Sequence, residues 1–211
     1  LPFPRERRKI DKSPFPCGII ENVLTGISWK TVVDHCLKSE GRLLLKRFCP
    51  RATATTLYEL TPGFFLGRGI RGLIIDLDNT LVAWGEDKID GWMREWVREI
   101  QAAGIKICIL SNALEHRVRA VGESLGVPWV SRAVKPRKHP FRQALKILGT
   151  APQETAVVGD QIFTDIWGGN RLQLYTIWTT PLSTEEFIST KAVRRLERLV
   201  VKRFRKKGIL P

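Results

Sequence analysis

From residue 70 onward the chain alternates between short continuous apolar runs and stretches whose apolar residues recur every three or four positions. The runs fall at Gly72–Leu77, Lys106–Leu110, Pro128–Val130, Thr155–Val158 and Leu174–Trp178, and each is expected to form a strand. The stretches between them place Trp92, Trp96 and Ile100, then Val118, Val121 and Leu125, then Phe141, Leu145 and Leu148 at helical spacing. Asp90 suits the N-cap of the first helix, and Gly104 suits its stop. Five apolar strands alternating with helices predict an α/β domain, a parallel sheet covered by helices on both faces. Ligands of such sheets bind outside the carboxyl ends of the strands, so polar residues there carry the most functional weight.

The two ends of the chain read differently. Residues 1–25 are rich in proline and basic residues without sustained periodicity and are expected to form an extended arm. Residues 27–48 can make one or two amphipathic helices, and Thr61-Pro62 marks entry to the sheet. Residues 191–207 carry Val193, Leu196, Val200 and Phe204 on one helical face among Lys and Arg. Such a stripe serves either a membrane surface or packing against the domain.

Charge sharpens this division into three parts: a basic extension at 1–51, a body at 52–190, and a basic amphipathic helix at 191–211. The 211 residues hold 35 Lys and Arg against 21 Asp and Glu, a net charge of +14. Residues 1–51 contribute +6 and residues 191–211 contribute +8, while 52–190 holds 15 of each sign. A neutral body with two basic ends is suited to a polyanion, either an anionic membrane surface or a nucleic acid. No apolar run reaches the length of a bilayer span, and LPFPRERRKI lacks the apolar core of a signal peptide. Cys17, Cys36, Cys49 and Cys108 show no CxxC spacing, which argues against a zinc site or disulfide framework and suits a reducing cytosol. Of the seven tryptophans, Trp92, Trp96 and Trp178 are expected in the core, with Trp29 and Trp84 as candidate interfacial anchors.

Candidate chemistry gathers at the strand ends. The first run closes in Asp76-Leu77-Asp78-Asn79-Thr80. Alternate side chains of an extended backbone share a face, so Asp76 and Asp78 start on one side. Two carboxylates held together are costly without a cation, and a hard, oxygen-seeking ion such as Mg²⁺ resolves the cost. A strand-end Asx turn is the alternative. The second run leads into Ser111-Asn112, which alone would be an ordinary helix N-cap. Lys135 follows the third run, and Gly159-Asp160 through Asp165 follows the fourth. None decides the matter singly; their order and shared sheet edge do.

In that order the four segments resemble the motifs of a haloacid-dehalogenase-superfamily phosphatase: DLDNT at 76–80, Ser111-Asn112, Lys135, and GDxxxxD at 159–165. The wording further resembles the YqeG-type branch, which includes phosphatidylglycerophosphate phosphatases. It matches at Leu44 to Phe48, Gly69 to Gly72, Ala133-x-Lys135-Pro136, and Gly159 through Arg171. The resemblance spans roughly residues 44–190 and implies a Rossmann-like fold. By it, Asp76 is the nucleophile and Asp78 the general acid and base. Mg²⁺ would be held by Asp76, the backbone carbonyl of Asp78, and Asp160. Lys135, Ser111 and the backbone near Asn112 would bind the phosphoryl group, Asp165 would orient Lys135 or a metal-bound water, and Thr80 would support the loop.

Two gaps then carry information. Asp78 to Ser111 is just filled by a helix and a strand, and so is Ser111 to Lys135, leaving no room for the cap domain that many relatives insert. An open site suits a phosphate on a bulky body. The expectation is therefore a Mg²⁺-dependent enzyme converting phosphatidylglycerophosphate to phosphatidylglycerol, peripheral on the cytosolic face of a membrane. The alternatives are a phosphatase acting on a soluble sugar phosphate, nucleotide or phosphoprotein, and a nucleic-acid- or ribosome-binding protein on the same scaffold.

Overall fold

The computed structural model describes residues 47–86, 88–183 and 201–202. The arm at 1–25, nearly all of the 27–48 segment, and the 191–207 stripe except Val201 and Lys202 lie outside the described residues.

Six parallel strands form one sheet in the order β1-β6-β5-β2-β3-β4. They are β1 (Ala52–Ala54), β2 (Gly72–Ile75), β3 (Lys106–Leu110), β4 (Trp129–Val130), β5 (Thr155–Gly159) and β6 (Tyr175–Thr179). The helices are α1 (Pro62–Leu66), α2 (Gly91–Ala102), α3 (Glu115–Leu125), α4 (Lys138–Leu148) and α5 (Trp167–Asn170). Strand β2 is central: Ile74 stands beside Cys108 of β3 on one side and Val157 of β5 on the other.

Strand alternation sorts the core into two layers. Leu73, Ile75, Ile107, Ile109, Ala156 and Val158 face one way and bury against Met93, Trp96, Val97 and Ile100 of α2 and Val118 and Val121 of α3. Ile74, Cys108, Leu110 and Val157 face the other way and meet Phe141, Ala144, Leu145 and Leu148 of α4. Each fully buried aliphatic contributes roughly 1.5–3 kcal/mol, which is why the central strands are apolar except at their first residues, Lys106 and Thr155. Burial pushes the Cys108 thiol up to about 12, so in the folded protein it is expected to resist alkylating reagents at pH 8 and to react on unfolding.

Three expectations are corrected here. The sheet has a sixth strand, β1, lying before Thr61-Pro62; three residues reading Ala-Thr-Ala make no apolar run. It is set against β6 by register, and its lead-in is held by Asn170, whose Nδ2 donates to the carbonyls of Arg47 and Cys49, each at 2.9 Å. Trp92 is 78% exposed rather than core, because the buried stripe of α2 centres on Met93, Trp96, Val97 and Ile100. Trp178 is only half-buried, and its indole N–H donates to the Asp160 carbonyl at 2.8 Å. The α2 caps follow expectation: the Asp90 carboxylate accepts from Met93 N at 2.6 Å, and Gly104 takes the left-handed φ of 79° just past the helix.

Candidate active site

All the candidate residues gather at the carboxyl edge of the sheet, on loops following β2, β3, β4 and β5. Asp76 leaves β2 with its N–H still bonded to Val158 of β5 at 2.9 Å, which fixes its backbone at the strand end. The chain then folds back: Leu81 and Val82 N–H groups donate to the Leu77 carbonyl, and Asn79 N donates to Val82 O. Asn79 sits at φ 61°, a conformation asparagine tolerates better than most side chains. Its side-chain oxygen accepts from Trp84 N, Ser183 N and Ser183 Oγ, clamping the chain after β6 onto this loop. Thr80 is buried in the same turn, its Oγ1 without a hydrogen-bond partner among the described residues.

Lys135 is the hub. Its ammonium, almost wholly buried, lies 2.6 Å from Asp76 Oδ1 and 2.6 Å from Asp165 Oδ1. The segment carrying it is secured by Asn112, whose Oδ1 accepts from Lys135 N at 2.8 Å, and the Lys135-Pro136 peptide is cis. Ser111 is buried, and its Oγ accepts from Ala113 N at 3.0 Å. Neither residue is the ordinary helix N-cap that the pair taken alone would suggest, because α3 starts only at Glu115 with Leu114 before it.

Asp160 and Asp165 complete the floor. Carboxylate oxygens of Asp76, Asp160 and Asp165 lie within 4.8 Å of one another, all three residues buried. Asp165 leans so closely over the end of β5 that a Cβ on Gly159 would stand 2.4 Å from its carboxyl carbon. Gly159→Ala is therefore expected to displace Asp165 and lower both activity and stability, the latter by about 1–3 kcal/mol; denaturant unfolding of the variant checks this.

Electrostatics follow from the burial. Asp76 is pushed well above the usual carboxylate range by desolvation; the Lys135 ammonium opposes the push, and the charges of Asp165 and Asp160 add to it. For Lys135 burial favours the neutral amine, but the flanking Asp165 and Asp76 carboxylates outweigh it and hold the ammonium charged. Three buried carboxylates against one ammonium leave an excess of acidic groups in a buried site. All the donors are oxygens, so the set fits a hard divalent cation.

The Asp78 side chain takes a separate place, consistent with its expected role through the carbonyl rather than the carboxylate. Its carboxylate lies outside the three-carboxylate cluster and pairs with Arg117 of α3, whose other arm donates to the Glu86 carbonyl at 2.9 Å. Sequence reasoning missed Arg117 and Asn79. The signal for Arg117 was its place in the first turn of a helix that starts at the ligand-binding edge.

Comparison with known proteins agrees with this geometry. The family model for haloacid dehalogenase-like hydrolases matches residues 82–173. The probable phosphatase YqeG of Bacillus subtilis is 34% identical over 166 residues, covering 79% of this chain and 96% of that protein. The chain belongs to the haloacid dehalogenase-like hydrolases, in the branch of the YqeG-type phosphatases. The Arabidopsis thaliana chloroplastic/mitochondrial phosphatidylglycerophosphate phosphatase 1 is 32% identical over 154 residues, which make up 68% of this chain and 44% of that protein. Its Chlamydomonas reinhardtii chloroplastic counterpart is 26% identical over 153 residues, covering 68% and 57%.

Proposed function

We propose that this chain hydrolyses a phosphomonoester through an aspartyl-phosphate on Asp76, and that the substrate is phosphatidylglycerophosphate at the cytosolic face of a membrane. The observation that carries the chemistry is the buried cluster at the end of β2, where Lys135 bridges Asp76 and Asp165 beside Asp160. An Asp76 oxygen attacks phosphorus while the bond to the leaving alcohol breaks, and Asp78 gives that alkoxide its proton. Asp78 then takes a proton from water, which attacks the same phosphorus, releasing inorganic phosphate and restoring Asp76.

A carboxylate approaching a phosphate dianion is repelled unless positive charge meets the equatorial oxygens. Lys135 supplies one charge, and Ser111 and the backbone at Asn112 supply hydrogen bonds. Asp76 and Asp160, with the Asp78 carbonyl, would hold Mg²⁺, which when bound neutralises the developing phosphoryl charge. Asp165 positions Lys135 through the 2.6 Å bond. Arg117 pairs with the Asp78 carboxylate and orients it at the carboxyl edge of the sheet.

Three features support a lipid substrate: relatives that carry the phosphatidylglycerophosphate phosphatase name, the net charge of +14, and the lack of an inserted domain among the described loops of this edge. No helix among the described residues is long and apolar enough to cross a membrane, and a peripheral attachment is proposed.

The deciding experiment is phosphate release from phosphatidylglycerophosphate, sugar phosphates and a phosphopeptide, each with Mg²⁺ and with EDTA. Preference for the lipid with Mg²⁺ is expected; faster turnover of a sugar phosphate would point to the soluble-substrate alternative. Asp160→Ala should raise the Mg²⁺ concentration needed for half-maximal rate by about 10–100-fold as well as lowering the rate, which a metal titration reads directly.

A further inference from the structure

The carboxyl edge carries more than the carboxylate cluster. Seven large hydrophobic side chains stand exposed among the described residues, and five of them belong to this edge. Leu114 (55% exposed) follows β3, Val134 (54%) follows β4 and Leu182 (46%) follows β6. Trp92 (78%) lies in the first turn of α2, which runs from this edge back toward the start of β3. Tyr58, beyond the end of β1, donates to Asp90 at the head of that helix. The other two, Leu66 and Ile147, lie toward the amino ends of β2 and β5.

Leu114 and Val134 sit beside cations, whereas Trp92 and Tyr58 lie next to Asp90. Residues 131–138 hold Arg132, Lys135, Arg137 and Lys138 with no acidic residue, and none occurs anywhere from 124 to 153. Arg132 and Arg137 are exposed, and Arg171 reaches across to the Pro136 carbonyl at 2.9 Å. The backbone brings these groups together: Arg137 N bonds Val134 O at 3.1 Å, and Arg132 N bonds Ala113 O, beside Leu114, at 3.1 Å. Val134 also sits at φ 51°, a conformation costly for a β-branched residue. Folding alone gives no reason to hold a strained, half-exposed valine beside two surface arginines. The body is neutral in sum, but the part of its catalytic edge around Leu114 and Val134 is apolar and basic.

We infer that this edge is the membrane-docking face, so that the catalytic mouth itself sits down on an anionic lipid surface. This rests on the lipid-substrate reading and deepens it, placing an attachment in the folded body in addition to the basic ends. Trp92, Leu114, Val134 and Leu182 enter the headgroup boundary, and Arg132 and Arg137 pair with lipid phosphates. A phosphomonoester on the membrane then meets Asp76 without leaving the bilayer. Lipid is favoured over RNA because three of the four apolar residues are aliphatic and offer no face for base stacking.

The test compares two charge reversals of equal size in the full chain. One pair, Arg132→Glu with Arg137→Glu, lies at the catalytic edge; the other, Arg71→Glu with Lys146→Glu, lies at the opposite edge. Each is measured for co-sedimentation with phosphatidylcholine vesicles containing phosphatidylglycerol and for binding to an RNA oligonucleotide, after thermal unfolding shows the protein folded. The catalytic-edge pair should weaken vesicle binding by about tenfold or more and the opposite pair by less than about threefold. Leu114→Ser with Val134→Ser, which leaves charge untouched, should also weaken vesicle binding and serves if the arginine pair does not fold. Equal losses from both charge pairs would mean attachment by net charge alone, and no loss at the catalytic edge would leave the basic ends as the anchor. Loss of RNA binding with vesicle binding intact would assign the face to nucleic acid. Each of these overturns the inference. The vesicles contain no phosphomonoester, so edge-dependent binding without phosphatidylglycerophosphate hydrolysis would remove the substrate assignment and leave the docking face standing.

Discussion

Asp76→Asn is expected to yield a folded protein whose turnover has fallen on the order of 10⁴-fold or more. The amide keeps the shape of the carboxylate and an oxygen that can still accept from the Lys135 ammonium, now at 2.6 Å from Asp76 Oδ1. It lacks the anionic oxygen that is proposed to bond to phosphorus. A 10⁴-fold loss corresponds to about 5.4 kcal/mol of transition-state stabilisation, far more than loss of a single hydrogen bond would explain. Stability should hold or rise, because the substitution removes one of three carboxylates crowded within 4.8 Å. Acid-quenched protein should carry no covalent phosphate, whereas the unsubstituted enzyme should carry it during turnover. Substantial activity in a folded variant would take Asp76 out of the nucleophile's role.

How far the sequence reveals this site depends on what each residue's neighbours are. Strands β2, β3 and β5 are buried on both faces, so they read as unbroken apolar runs, and the polar residues that end them stand out. Strand β1, three residues at the sheet margin, needs no such run and is invisible to the same test. Lys135 is one of 35 basic residues, and only its order between Asn112 and Asp160 marks it; its contacts with Asp76 and Asp165 depend on loops meeting across the sheet. The partition of carboxylates is likewise a tertiary matter. Asp76 and Asp78 are neighbours in sequence, yet the fold sends one to Lys135 and the other to Arg117, while Asp165 joins the cluster because Gly159 leaves space for it. Trp92, four residues before Trp96, fits helical spacing, but Met93, three before it, is the residue that joins Trp96 and Ile100 in the buried stripe.

The second large effect is expected from Lys135→Ala. The side chain is the only cation bonded to Asp76 among the described residues, and it is buried with it. Removing one partner of a buried pair leaves the other charge uncompensated, at a cost of about 3–5 kcal/mol unless a proton or a cation takes its place. Burial already pushes the Asp76 carboxyl up, Asp165 and Asp160 push it further, and Lys135 is the group holding it down. Without Lys135 the carboxyl rises again, so the nucleophilic anion forms only at higher pH. The acid limb of the pH–rate profile should therefore move to higher pH, and the maximal rate should fall by about 10²–10³-fold, the usual cost of losing one group that stabilises transition-state charge. Asp165 loses the same partner, so Asp165→Asn should lower the rate less than Lys135→Ala, since it disturbs the lysine's position while leaving its charge. Lys135→Arg separates charge from fit: the guanidinium restores the sign, but a planar fork cannot occupy an ammonium's place 2.6 Å from two different carboxylates. It should recover part of the acid-limb position and little of the rate. An acid limb that stays in place in Lys135→Ala would show that the lysine does not govern the ionisation of Asp76.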